Sequence, residues 1–166
     1  MLSLLRELYA HMQWADALVW RAMLALPAAE HDAPLREKLV HVHMVQRAFL
    51  SVWRGQGPDF REDFESLAEV AQWGREYHDA VLPFVEAFDE TALDRPMVMP
   101  WAGRFAARLG RDAEATTLRE TLMQVVLHST YHRGQVNTRL RELGAEPPLV
   151  DYIAWLWFGK PAAQWP

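Results

Sequence analysis

The stretch 118–144, LRETLMQVVLHSTYHRGQVNTRLRELG, determines the fold that we predict for this chain. Apolar side chains recur in it at steps of three and four residues, which is the period of an α-helix. Thr117 and Glu120 have the spacing of a capping box at its start. Gly144 follows the last apolar position, where a helix commonly ends. We therefore predict one long amphipathic helix, and it carries the most chemically informative residues of the chain.

Two histidines, His128 and His132, lie four residues apart in this predicted helix. Residues at that spacing share one helix face, so both imidazoles can reach a single metal ion. Gln124 and Gln135 lie on about the same face and are candidates to orient a ligand or a bound water. A histidine pair alone is equally consistent with two histidines that bind nothing, so a third ligand has to be found elsewhere.

The composition is that of a soluble globular protein, with 166 residues of which 51% are hydrophobic and 23% charged. No apolar run has the length of a membrane span, and the first residues lack the pattern of a secretory signal. We therefore expect one domain, residues 1–166, in the cytoplasm. The net charge of −5 argues against a general nucleic-acid interface, which needs a basic face. A local cluster of Arg104, Arg108 and Arg111 is interpreted as a solvated loop.

The chain contains no cysteine. This excludes disulfides, thiolate zinc sites and a cysteine nucleophile. Any metal must therefore be held by imidazole or oxygen ligands, and any reacting thiol must come from a cosubstrate.

Three further long helices are predicted from apolar stripes at helical spacing. They cover residues 2–26, 34–54 and 66–88, and Pro83 is expected to kink the third. Residues 89–115 are the least regular part and are predicted to form a long connection with at most a short extended piece. Residues 151–158 are predicted to form a short aromatic-rich closing segment that covers an open end or takes part in a subunit contact. The sequence thus predicts an all-α four-helix bundle.

The second predicted helix offers two candidates for a third ligand, His41 and His43. His41 is placed on the stripe predicted to face the core, together with Met44, Val45, Ala48 and Val52, and His43 on a more polar face with Gln46. His41 is therefore the better candidate, although spacing alone leaves His43 open. On the first helix, His11 and Asp16 flank the apolar stripe beside Trp14. Either could point into a pocket, and His11 and Trp14 are candidates to line one, although such border positions are more often solvated or hydrogen-bonded. His78 lies off the stripe of its helix and receives no role.

Together these features resemble the DinB/YfiT-like superfamily, over essentially the whole chain. The most specific part is HSTYHRGQ, residues 128–135; the other matches are LRELG at 140–144, Pro147-Pro148 with Asp151-Tyr152, His41-Val-His43 ahead of Phe49-Leu50, and Trp14-Ala15-Asp16. The resemblance implies a four-helix bundle with a divalent metal held by three histidines, which map to His41, His128 and His132. Where many members carry an acidic residue, this chain has Gln46.

Three neutral imidazoles leave open positions on a metal ion, which is typical of catalytic sites. Zinc or nickel suits such ligands best, with manganese or iron as alternatives. Members of the superfamily include S-transferases that use low-molecular-weight thiols, a thiol-dependent isomerase, and proteins described only as metal-dependent hydrolases. The resemblance therefore implies a metal-dependent enzyme that activates a thiol or water for attack on a small electrophile. Because no carboxylate has the spacing of an obvious general base, thiol transfer is favoured over hydrolysis.

A second hypothesis is a non-catalytic metal-binding protein of a stress response that mainly dimerises. The eight tryptophans, several of them near the C-terminus, could line either a pocket or an interface. DNA binding is a third hypothesis, and the acidic balance of the chain opposes it. The expected partners are thus a small-molecule substrate, with a low-molecular-weight thiol as a candidate, and a second copy of the chain, but neither nucleic acid nor a membrane.

Overall fold

The computed structural model describes residues 1–58 and 60–166, and it confirms an all-α fold. The helices are α1 (Leu2–Leu24), α2 (Ala33–Trp53), α3 (Leu67–Glu86), α4 (Ala102–Leu109), α5 (Leu118–Glu142) and α6 (Tyr152–Trp157). Short 3-10 turns occupy Pro27–His31 and Glu90–Asp94. The strands β1 (Pro96–Met97) and β2 (Thr116–Thr117) pair antiparallel, with Pro96 opposite Thr117 and Met97 opposite Thr116. The four predicted long helices are therefore present, each within two residues of its predicted ends.

The helix ends follow local side-chain chemistry. Asp32 accepts a hydrogen bond from the Leu35 amide at 2.9 Å and caps α2. The capping box predicted for α5 is present, with Thr117 and Glu120 each bonding the backbone of the other. Such caps satisfy amides that have no partner inside a helix, so the start of α5 is set by the sequence directly before it.

The four long helices form the bundle. α1 packs against α3 and α5, and α2 packs against the same two helices, so α1 and α2 occupy opposite corners. The long connection between α3 and α5 crosses the bundle through β1, α4 and β2. This arrangement makes α2 and α5 direct neighbours, although 64 residues separate their facing ends, Trp53 and Leu118, in the sequence numbering.

The core consists of two apolar halves. One half is built around Tyr9, Phe49, Trp53, Tyr77 and Leu122, and the other around Trp20, Leu35, Leu67, Trp73 and Leu140. Between them each of the four long helices contributes at least one buried polar residue. A smaller cluster of Trp14, Ala15 and Trp155 holds α6 against α1. Among the described residues, no helix combines the length and the apolar character that crossing a membrane requires.

The prediction of which face of α2 lies in the core was wrong. The structure buries the face with Leu39, Val42, His43 and Gln46. Of the predicted stripe only Ala48 is buried, and the other members are partly exposed. Both faces carry apolar residues, and the polar ones on the buried face find hydrogen-bond partners inside the bundle. Burial of a polar side chain costs little once its hydrogen bonds are satisfied.

The connection at 89–115 contains a helix that was not predicted. α4 has no buried residue, and Phe105 and Leu109 are 58% and 67% exposed. Trp101, Phe105 and Leu109 recur at steps of four, a signal that could have revealed this helix. The arginines of the predicted solvated cluster are exposed, in agreement with that prediction, but Arg104 and Arg108 lie on α4.

Candidate metal centre

Three histidine side chains meet where α2 packs against α5. His41 comes from α2, and His128 and His132 come from consecutive turns of α5. The Nε2 atoms of His41 and His128 lie 3.2 Å apart, and one ring nitrogen from each of the three histidines lies within 4.8 Å of the others. All three rings are partly buried. The helical spacing of His128 and His132 therefore places them as predicted, and the packing of α2 adds His41.

The spacing of these nitrogens fits a shared metal ion. A tetrahedral ion with bonds of about 2.05 Å holds its nitrogen ligands about 3.3 Å apart. His41 and His128 already have about this separation, and a ring nitrogen of His132 lies within 4.8 Å of both. Imidazole ligands suit several first-row divalent metals. The cluster could thus hold one divalent metal ion.

The surroundings keep His41 and His128 in the form that binds metals. Burial, together with the charges of His132 and His41, lowers the pKa of His128 to about 4. Burial also lowers the pKa of His41, and the charge of His132 adds to this effect. Neutral imidazole is the metal-binding form, so protons do not compete for these two ligands at neutral pH.

An apolar cavity of about 610 Å³ opens beside the cluster. His41, His128 and Gln124 line one part of it. The other lining residues come from α2, from Phe60 and from the connection that contains α4; they are Val45, Ala48, Phe49, Phe60, Met99, Trp101, Ala102, Arg104, Phe105 and Ala113. This size is ordinary for a small-molecule site. The helix that sequence reasoning missed thus supplies a wall of the cavity.

A second cavity, of about 560 Å³, also reaches His41. Its lining includes Arg36, Glu37 and Glu62. Glu37 lies one helical turn before His41, and its charge acts on that imidazole. The two cavities differ in character, since charged side chains line the second and mostly apolar ones line the first.

Comparison with known proteins identifies the family of this chain. The model of the DinB family matches residues 1–163. The chain belongs to the DinB family. It is similar to the protein named "Protein DinB" of Bacillus subtilis (strain 168), with 25% identity over 171 residues that cover 93% of this chain and 94% of that protein. The resemblance stated from the sequence motifs is thereby confirmed.

In this DinB family member His43 is engaged elsewhere. Its Nε2 atom accepts a hydrogen bond from Trp20 Nε1 at 2.8 Å, and its Nδ1 atom donates to Gln46 Oε1 at 2.7 Å. Burial lowers the pKa of His43 to about 4, so the ring is neutral. Gly74 on α3 makes room for this ring, since a Cβ there would lie 2.4 Å from it. With both nitrogens occupied, His43 is a poor candidate for a metal ligand.

Gln135 supports the cluster through His132. Its Oε1 atom lies 2.9 Å from His132 Nδ1. A carbonyl oxygen only accepts, so Nδ1 must carry the proton and donate it. The lone pair of His132 is then on Nε2, which is free to bind a metal. Such a bond fixes both the tautomer and the ring orientation of a ligand.

Replacement of Gln135 by leucine should weaken metal binding by about 10- to 100-fold, because His132 loses the partner that fixes its tautomer. Competition with a chromophoric chelator measures the affinity. Gln72→Leu is the matched control, since Gln72 is exposed on α3 and bonds Glu76. Equal affinities of the two variants would contradict the role given to Gln135.

His11 and Trp14 lie away from both cavities that reach His41. His11 Nε2 is 3.0 Å from the Val150 carbonyl oxygen, and its ring packs against Trp14, Tyr152 and Trp155. Neither His11 nor Trp14 lines the apolar or the charged cavity. Both therefore attach the C-terminal segment to α1, which leaves Gln124 and Gln135 as the neighbours of the cluster among the predicted pocket residues.

A buried polar layer lies between the two apolar halves of the core. The Asp16 carboxylate on α1 accepts hydrogen bonds from Arg133 of α5, from His78 of α3 at 3.0 Å and from Gln46 of α2 at 3.0 Å. Gln46 also donates to Ser129 Oγ at 3.0 Å. The prediction that His78 lies off the buried face of its helix was wrong, because its side chain is fully buried and bonded to Asp16. The contact between Arg133 and Asp16 is a salt bridge between two buried side chains.

Proposed function

We propose that this DinB family member is a metal-dependent enzyme acting on a small molecule. His41, His128 and His132 would be the ligands of one divalent ion, with zinc or nickel the best match and manganese or iron as alternatives. The observation that carries the proposal is that the histidine cluster opens onto a cavity large enough for a small molecule. When bound, such an ion supplies positive charge that makes a nearby thiol or water more acidic.

Thiol transfer is favoured over hydrolysis. Among the described residues, no carboxylate lines the apolar cavity, so a general base for water is missing there. The thiol must be a cosubstrate, since the chain has no cysteine. In the proposed reaction the thiol loses its proton to solvent water, its sulfur bonds to the electrophilic carbon, and the leaving group departs as an anion with the electrons of its bond to that carbon. His41, bordered by both cavities, lies where two substrates would meet.

The non-catalytic alternative has less support. A protein that only binds metal would need no cavity through which a small molecule reaches the metal-binding histidines. None of the closing residues, Trp155 to Phe158, fills or lines the apolar cavity, so the cluster stays open on that side. The cavity therefore favours an enzyme.

The test is turnover of L-cysteine with 1-chloro-2,4-dinitrobenzene, followed by absorbance, with metal-loaded and chelator-stripped protein. We expect turnover above the uncatalysed rate only in the loaded protein. Absence of turnover with this and a panel of other thiols and electrophiles would contradict the transferase proposal.

Glu37→Gln separates thiol transfer from hydrolysis, because Glu37 is the carboxylate in the turn before His41. Thiol transfer should change by no more than about twofold in this variant, since no general base is required. If Glu37 were a general base for water, loss of its carboxylate would cost about 10²- to 10⁴-fold. A drop of that size in ester or amide hydrolysis, without thiol dependence, would favour the hydrolase instead.

We also propose a homodimer, supported by large apolar side chains left in solvent. Trp157 and Phe158 are 76% and 70% exposed, and Leu127 and Tyr131 on α5 are 59% and 65% exposed. Exposed apolar groups of this size commonly mark interfaces. Light scattering at micromolar concentration should give twice the chain mass, and Trp157→Ser with Phe158→Ser should shift it towards the monomer. A monomeric mass for the unaltered protein would contradict the proposal.

A further inference from the structure

We propose that the apolar cavity binds an aromatic molecule that carries one anionic group. The rings of Phe49, Trp101 and Phe105 would pack against its apolar body, and the Arg104 guanidinium would meet its anionic group. The inference rests on the proposed function for the reacting end of the molecule, which would lie at His41 and His128. It adds the substrate class, which neither the histidine cluster nor the family match specifies.

The lining of the cavity favours a ligand with a large apolar part. Phe49 and Trp101 form one aromatic wall, with ring centroids 5.0 Å apart in an edge-to-face arrangement. Phe60 and Phe105 also line the cavity, although each is 58% exposed. Large rings left uncovered around a cavity are expected where a ligand covers them on binding. An aromatic ligand adds edge-to-face or stacked contacts beyond simple burial.

The position of α4 supports the same conclusion. Trp101 and Phe105, one helical turn apart, both line the cavity, yet α4 buries none of its own residues. An amphipathic helix is stabilised by covering its apolar face. A bound aromatic molecule would provide that cover, so binding and the docking of α4 are expected to reinforce each other.

The charge in the cavity selects an anion. Arg104 is the one permanently charged side chain among the described lining residues, and no described carboxylate forms an ion pair with it. A guanidinium binds carboxylates, sulfonates and phosphates through paired N–H donors. The other polar lining residues, His41, His128 and Gln124, are neutral or belong to the candidate metal centre. An anionic group is therefore expected at Arg104.

The test compares two fluorescent probes with the same aromatic rings. 1-Anilinonaphthalene-8-sulfonate is anionic, and N-phenyl-1-naphthylamine lacks the sulfonate. Each is titrated into metal-free protein, into Arg104→Gln, and into Arg108→Gln. Arg108 is the matched control, since it is exposed on the same helix and does not line the cavity. Phe105→Ala removes an exposed aromatic side chain, so we expect the variant to fold. It tests the contribution of the apolar lining to probe binding.

We expect Arg104→Gln to weaken binding of the anionic probe about three- to tenfold and to leave the neutral probe unchanged. Arg108→Gln should leave the affinity for both probes unchanged, and Phe105→Ala should weaken the binding of both probes. High salt should remove the difference in affinity for the anionic probe between Arg104→Gln and the unaltered protein, because salt screens exposed charges. Equal effects of Arg104→Gln and Arg108→Gln, equal effects on both probes, or no binding of either probe would overturn the inference.

The titration separates this inference from the proposed function, because the probes are bound without metal and without turnover. Probe binding with the expected Arg104 dependence, but without thiol transfer, would contradict only the transferase. Thiol transfer without any Arg104 dependence of probe binding would contradict only the substrate class.

Discussion

Replacement of Asp16 by asparagine should lower the free energy of unfolding by about 3–5 kcal/mol. Asp16 and Arg133 are 6% and 5% exposed, and together they form a buried ion pair. Asparagine can still accept hydrogen bonds from His78 and Gln46, but it leaves the Arg133 guanidinium buried without an opposite charge. A buried charge without its partner is among the most costly defects in a core. Urea unfolding followed by tryptophan fluorescence measures the loss.

Asp79→Asn is the matched control. Asp79 faces Arg75 in an exposed pair on α3 with a separation of 3.9 Å, and its side chain is 62% exposed. Exposed pairs of this kind contribute little, so we expect a change below about 0.5 kcal/mol. Adding Arg133→Met to Asp16→Asn should restore part of the stability, because it removes the charge that was left alone. A double variant no more stable than Asp16→Asn would contradict the explanation.

The same pair predicts how stability depends on pH. Burial acts to raise the pKa of Asp16, but the charge of Arg133 and the hydrogen bond and charge of His78 outweigh it, so the pKa lies well below its usual range. A carboxyl group with a lowered pKa in the folded state stabilises the fold above its unfolded pKa of about 3.9. That stabilisation is lost as the pH falls below this value. Asp16→Asn should therefore lose less stability between pH 5 and pH 3 than the unaltered protein.

Replacement of His132 by alanine should remove stoichiometric metal binding. The purified protein is expected to contain about one equivalent of a divalent metal per chain, and the variant less than about a tenth of that, because only His41 and His128 remain. The variant should still fold, since His132 is only partly buried and lies outside the buried polar layer. Elemental analysis after reconstitution measures the metal, and circular dichroism confirms the fold.

Two further histidines serve as controls for this result. His31→Ala alters an exposed histidine in the turn before α2 and should keep the full equivalent of metal. His43→Gln tests the competing ligand assignment on α2 and should also keep the metal, because both His43 nitrogens bond other side chains. Loss of metal in His43→Gln, with retention in His41→Ala, would reverse the assignment. No metal in the unaltered protein after reconstitution would contradict the metal centre as a whole.

The buried polar layer links these two predictions. Ser129 and Arg133 of the layer alternate along α5 with His128 and His132 of the cluster, so the bonds of the layer fix how α5 is rotated in the bundle. The network engages all four long helices through Asp16, Gln46, His78 and Arg133. Correct rotation of α5 turns its two histidines towards His41. A defect at Asp16 is thus expected to weaken metal binding as well as stability.

The sequence by itself determined the four long helices, the capping box of α5 and the shared face of His128 and His132. These features depend on residues within one or two helical turns of each other, so the helical period and the capping residues are sufficient to predict them. The family motifs were also readable from the sequence, and they pointed to His41, which the structure brings close to His128 and His132. Helical periodicity alone also favoured His41, but for a wrong reason. It placed His41 on the face predicted to be buried, and the structure buries a different face of α2.

Only the tertiary structure decided which face of α2 is buried, where His43 and His78 bind, and what encloses the apolar cavity. The ion pair of Asp16 with Arg133 joins residues 117 positions apart, and the His41–His128 approach joins residues 87 apart. No local pattern determines which of several polar residues will meet across such distances. Their partners depend on how the helices pack, because a polar side chain is buried only where another helix supplies its hydrogen bonds.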